Sequence, residues 1–195
     1  VADGPDAVRA AARRQLARGA DLVKVMATGA MLSSESEDSR AIQFTLDELR
    51  AAVEIAHDNH KHVAAHCHAL RGIENAVEAG VDSIEHCTFA DDTVLRRMAE
   101  RGTVLVPTIC AGELLFRDES VVATMPPHLL ERMAAFDDVH AAAVRRASST
   151  GANAETMSVS GATTSPPSQR VRMERLSLPT GMAMPSAGHS SMPTL

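Results

Sequence analysis

Val63-Ala64-Ala65-His66-Cys67-His68 leads into a helical pattern from about Ala69 to Ala79, then Gly80, then Val81-Asp82-Ser83-Ile84-Glu85-His86. An apolar run short enough for a buried strand is followed by a helix, a glycine stop and a second such run. The unit recurs on both sides. Upstream lies Asp21-Leu22-Val23-Lys24-Val25-Met26-Ala27-Thr28-Gly29, and downstream Thr103-Val104-Leu105-Val106-Pro107. His66 and His86 are 20 residues apart, and His86 and Pro107 are 21 apart. Short strands alternating with helices at that interval imply right-handed βαβ units and a parallel sheet. Four strands are visible.

The helices between them carry their own start and stop signals. Asp3-Gly4-Pro5-Asp6 places proline and acids in a first turn. Val8, Ala11, Ala12 and Leu16 continue that helix, and Gly19 ends it. Thr45-Leu46-Asp47-Glu48 is a capping box, opening a helix with Leu49, Ala52, Val53, Ile55 and Ala56 on one face. Further helices are expected from about Asp91 to Glu100, before Gly102, and from Pro127 to Ala147. Residues 30–44 and 108–126 read as loops over strand ends.

From Ser148 to Leu195 the character changes. Ser, Thr, Pro and Gly make up 25 of 48 residues, without helix or strand period, so disorder or poor packing is expected there. The chain thus divides into a domain over 1–147 and a low-complexity tail over 148–195. Val1 opens inside a helix-entry pattern and reads as a cut, and the tail reads as the product of a frameshift or gene fragment.

Bulk properties exclude several classes. A net charge of −6 and a pI near 5.8 leave no basic footprint for nucleic acid. No apolar stretch approaches the roughly 20 residues of a membrane span, and no signal-peptide pattern is visible. Cys67, Cys87 and Cys110 are odd in number and form no CxxC, against a disulfide framework. A cytoplasmic protein without membrane or nucleic-acid partners is the expectation.

Three basic side chains carry the chemistry. Lys24, His66 and His86 each sit near the end of an apolar run, and such groups are costly to bury without a partner. Lys24 reads either as a strand-end amine reaching solvent or as an inward lysine, neutral by burial and open to carboxylation by carbon dioxide. His66 and His86, one βα unit apart at the carboxyl ends of neighbouring parallel strands, face one crevice, where α/β folds place their sites. Neutral imidazoles suit zinc and related ions. His68 shares the face of His66 and reads as a second ligand, a substrate contact or a rim histidine. His57, His60 and His62, at a helix end, are read as structural, and His128, His140 and His189 have no partner pattern. Cys67 and Cys87 follow the two candidate ligands directly and should point away from them. Arg40 and Arg117 in the loops are candidates to meet a substrate carboxylate.

The three motifs around Lys24, His66 and His86, in that order and at those intervals, resemble the middle of an amidohydrolase-superfamily enzyme, nearest its imidazolonepropionase-like and prolidase-like branches. The resemblance covers residues 1–145. It implies a partial TIM-type (β/α)8 barrel of about four central βα units. It also implies one or two divalent metals, zinc first, with a carboxylated Lys24 bridging and His66 and His86 as single-histidine ligands. His68 is then assigned to substrate binding. The implied activity is hydrolysis of an amide-type C–N bond by metal-activated water, on a small molecule: a dipeptide, an acyl-amino acid or a cyclic amide. The family's His-x-His pair would precede Lys24, and its catalytic aspartate would follow a late strand. Neither is in this sequence, whose last Asp is Asp138, so the catalytic residue is left unassigned. Two readings compete with an active hydrolase: an inactive fragment of one, and a small α/β binding module with structural histidines. Open sheet edges make a homo-oligomer plausible.

Overall fold

A computed structural model describes residues 2–31, 38–109 and 118–152. Four strands, β1 (Leu22–Met26), β2 (His62–Cys67), β3 (Ser83–His86) and β4 (Val104–Val106), form one parallel sheet in the order β1-β2-β3-β4. Each is reached through a helix: α1 (Pro5–Ala17), α2 (Leu46–Asp58), α3 (Leu70–Ala79) and α4 (Asp92–Arg101). After β4 come α5 (Glu119–Thr124) and the long α6 (Pro127–Thr150). This is the expected α/β architecture, with consecutive βα units and no strand out of sequence order.

The helix boundaries follow local chemistry. Thr45 caps α2 through its hydroxyl, and Glu48 reaches back to the Thr45 amide at 2.8 Å, completing the capping box. The other Glu48 oxygen accepts from the Gly4 amide at 2.9 Å and so ties α2 to the start of α1. The Thr45 contacts hold the Glu48 carboxyl below its ordinary pKa, although partial burial opposes them. Helices α3 and α4 end at Gly80 and Gly102, both in the left-handed conformation that favours glycine.

All four helices α1–α4 lie on one face of the sheet. Val8, Ala12, Leu49, Ala52, Ile55, Ile73, Val77, Val94, Leu95 and Met98 pack there against Val23, Val25, Val63, Ala65, Ile84 and Leu105. The other face differs. Along β1 burial alternates, so Leu22 and Met26 are each 40% exposed on the face the helices leave open. Among the described residues, α6 packs on α4, with Ala147 in the same core, and carries Phe136 and His140 to the strand ends. Its Arg146 is anchored to the Ala90 carbonyl at 2.7 Å.

Two segments depart from expectation. The loop after β1 returns as an antiparallel bridge, Thr28 opposite Ile42, with Gly29 N–H to Ala41 O at 2.9 Å and Gln43 N–H to Ala27 O at 3.0 Å. It therefore extends β1 beyond Met26. Helix α6 continues three residues past Ala147, to Thr150. Residues 32–37, 110–117 and 153–195 lie outside the described residues, and with them Cys110, Arg117, His189 and most of the expected tail.

Candidate metal centre

His66, the penultimate residue of β2, pairs in register with Met26 of β1 and Glu85 of β3. Its Nε2 lies 3.3 Å from the Gly29 carbonyl oxygen, which can only accept, so Nε2 carries the hydrogen there and Nδ1 keeps its lone pair. His68 follows just beyond the strand. Its amide donates to Thr28 Oγ1 at 3.0 Å, and its Nδ1 lies 3.0 Å from Thr88 Oγ1. At 3% exposure it is no rim histidine: the helix α6 side chain Phe136 packs on it at 4.9 Å between ring centroids.

His86 arrives differently. Strict alternation would send it to the helix-covered face with Ile84. Instead His86 and Cys87 adopt φ of 71° and 53°, and this left-handed turn brings the imidazole over the strand end. Non-glycine residues are rare in that region and cost on the order of 1–3 kcal/mol each, which is why they collect at functional sites. Thr108, with φ 55°, holds the ring from the end of β4. Its Oγ1 lies 2.6 Å from His86 Nδ1 and 2.7 Å from the Pro107 carbonyl. With its one hydrogen given to that carbonyl, the hydroxyl accepts from Nδ1–H. Nε2 of His86 is then left as a lone-pair donor.

The three imidazoles converge. Ring centroids are 4.6 Å apart for His66–His68, 4.6 Å for His66–His86 and 4.5 Å for His68–His86. One nitrogen from each ring lies within 4.8 Å of the others. Burial, followed by the neighbouring imidazoles His86, His66 and His140, pushes His68 down to about 2. Burial also pushes His86 down to about 3, with His66, His140 and Lys24 adding to it. Rings turned together in this way, each steadied from outside by a carbonyl or hydroxyl, could hold a divalent ion.

Lys24 stands on the open face of β1, two residues before the partner of His66. Its side chain is 38% exposed, and its ammonium is paired with Glu85 Oε2 at 2.5 Å. The lysine stands on the same face as Met26, the register partner of His66. Among the described loop residues, Arg40 lies over the Phe89 ring at 4.6 Å, and Phe89 in turn meets Phe136 at 5.4 Å. That chain of contacts ends on His68.

At the opposite end of the sheet Asp82 meets His57 Nε2 at 2.9 Å and His62 Nδ1 at 3.1 Å, and accepts from the Val63 amide at 2.7 Å. Partial burial raises its pKa, but those contacts outweigh it and the net shift is downward. Cys67 and Cys87 are buried away from the imidazoles, where burial pushes the first thiol up to about 12 and the second well above its ordinary value. Sequence reading missed Thr28, Thr88 and Thr108, although each stands two residues beyond a strand end. It also missed Glu85 and His140.

Comparison with known proteins agrees with this geometry. The profile of the amidohydrolase family matches residues 1–173. Ochratoxinase of Aspergillus niger is 42% identical over 108 residues, 55% of this chain and 22% of that enzyme. Its crystal structure superposes with a TM-score of 0.71 at 33% identity, covering 80% of this chain and 35% of that one. A Xaa-Pro dipeptidase solved with methionine in its active site gives a TM-score of 0.70 at 36% identity, over 79% of this chain and 38% of that one. A prolidase complexed with N-methylphosphonate-L-proline gives 0.72 at 29% identity, over 80% and 38%. The chain thus spans about a fifth of the curated relative and little more than a third of each solved chain. Four consecutive βα units, a convergent imidazole group at their carboxyl ends and a family match over most of its length place this chain in the amidohydrolase family.

Proposed function

We propose that this chain carries part of a hydrolytic metal site acting on amide-type C–N bonds of small molecules. The observation that carries the proposal is the convergence of His66, His68 and His86, each ring held by a hydrogen bond from outside the cluster. The donor set fits a divalent ion, zinc foremost: buried imidazoles present lone pairs to a common point while their second nitrogens are engaged elsewhere. His66 and His86 are the proposed ligands. Lys24, once released from Glu85 and carboxylated, would add oxygen donors from β1. A bound divalent ion supplies Lewis acidity toward a carbonyl and a water of lowered pKa.

The other roles belong to the chain itself. His68, between the two ligands and Phe136, is placed to meet the substrate, and its Thr28 and Thr88 contacts hold the ring in position. Phe136 and Phe89 exclude water from that side, which strengthens polar contacts within. Arg40, braced on Phe89, is the proposed anchor for a substrate carboxylate. Relatives named ochratoxinase, Xaa-Pro dipeptidase and prolidase support an N-acyl-amino acid or a dipeptide ending in proline as the substrate class. The buried free thiols Cys67 and Cys87 suit a reducing compartment such as the cytoplasm.

The test is metal binding before activity. The chain is dialysed against zinc with and without bicarbonate, and bound metal is measured by elemental analysis. Stoichiometric zinc in the parent, lost in His86→Ala, is expected. No bound divalent ion under either condition would overturn the proposal. Hydrolysis of Xaa-Pro dipeptides and N-acyl-amino acids then tests the substrate class, and activity that survives His86→Ala would refute a metal-dependent route.

A further inference from the structure

His140 has no role in any reading given so far. It lies on α6, 54 residues beyond His86, where that helix reaches the strand ends. It is 8% exposed, and its Nε2 is fully buried without a hydrogen-bond partner among the described residues. The backbone carbonyls of His86 and Pro107 lie against the ring and favour its charged form, but burial outweighs them and the pKa is lowered. Its ring centroid is 6.3 Å from that of His86. A buried polar nitrogen with no partner is costly, and native structures place a water or an ion where one occurs.

The neighbourhood says which of the two is needed. The His86 and Pro107 carbonyls lie against the ring as well, so a water has acceptors there too. What favours the ion is the nearest ring, His86 at 6.3 Å, one of three imidazoles whose nitrogens already gather. We propose that His140 is a further ligand imidazole of the divalent-ion site, delivered by α6 from outside the parallel sheet. The inference rests on the reading of His66, His68 and His86 as that site. Its consequence is that α6 docking and metal binding are coupled: the ion links the helix to the ends of β2 and β3.

Cobalt(II) serves as the probe, because its visible absorption reports the number and kind of ligands. The full chain, His140→Phe, His140→Gln and His86→Ala are titrated with cobalt(II), and far-UV circular dichroism checks the fold. In both His140 variants the affinity should fall at least tenfold and the visible band should change in position and intensity. The metal-free His140→Phe protein should be no less stable than the parent, since an orphaned nitrogen has been replaced by an apolar ring. Unchanged affinity and spectrum in either folded His140 variant, with binding lost in His86→Ala, would overturn the role of His140 alone. Unchanged binding in His86→Ala would instead overturn the metal site on which it rests.

Discussion

Gly72→Ala should destabilise this protein, although it replaces glycine inside a helix. Alanine in a helix interior is favoured over glycine by about 1 kcal/mol. Gly72 is the third residue of α3, and a Cβ built there would stand 2.5 Å from Thr28 Cγ2 and 2.7 Å from Cys67 Sγ. Carbon contacts are comfortable at roughly 3.5–4.0 Å, so both fall about an ångström too close. Neither neighbour can give way. Thr28 and Cys67 are fully buried, both are short, and Thr28 also holds the His68 amide. Overpacking of that kind costs about 1–3 kcal/mol. With two contacts the upper end applies, and the net loss after the helix gain is about 2 kcal/mol. Urea denaturation followed by far-UV circular dichroism measures it directly. A double-mutant cycle with Cys67→Ala should recover part of the loss, since the sulfur contact disappears. Cobalt(II) affinity should fall in Gly72→Ala as Thr28 is pushed toward His68. A Gly72→Ala protein as stable as the parent, or more stable, would refute the close approach of α3 to the strand ends.

Folding stability without metal should fall with acid. His68 and His86 stay neutral far below their ordinary 6.5, so the unfolded chain takes up protons that the folded chain refuses. Stability is then complete above about 6.5 and is lost as pH falls toward about 3, by up to about 1.4 kcal/mol per pH unit per histidine. Urea midpoints from pH 7 to 5 should therefore slope less in His68→Asn than in the parent, and parallel slopes would contradict the buried neutral ring. Thr108→Val removes the hydroxyl at His86 Nδ1 and should weaken divalent-ion binding about 10–100-fold. Thr108→Ser should retain it, as read by competition with a chromophoric chelator. Thr45→Ala should cost about 1 kcal/mol in thermal unfolding by removing the α2 cap, and an unchanged melting temperature would show that the capping box contributes nothing.

Local signals carried most of the architecture into the sequence. The Thr45 capping box, the Gly80 and Gly102 stops and the apolar runs ending at His66 and His86 each depend on neighbours in the chain, and each is where pattern alone places it. The site was legible only where its residues sit on regular strands. His68 looked like a rim residue because nothing in its own segment announces Phe136, which arrives from α6. His140 escaped for the same reason: its partners are distant in sequence, and a lone histidine within a helical pattern carries no mark of burial. Lys24 left two readings open in the sequence, and alternation along β1 puts it on the face the helices leave open. The turn at His86 was invisible because left-handed backbone is ordinarily announced by glycine, and here histidine and cysteine adopt it.

The strictly sequential strand order bears on how the molecule is made. Among the described strands, each pairs with the one before it across a single intervening helix. The pairings are still long-range, Met26 with His66 and His66 with Glu85, and parallel sheets of this kind form slowly. As the chain leaves the ribosome, β2 can dock on β1 and β3 on β2, and the imidazoles of His66, His68 and His86 are gathered once β3 is in place. Among the described helices α6 is made last, and it brings Phe136 and His140 to the gathered imidazoles. A nascent chain halted between β4 and α6 would leave those imidazoles open to solution on the side that Phe136 later covers.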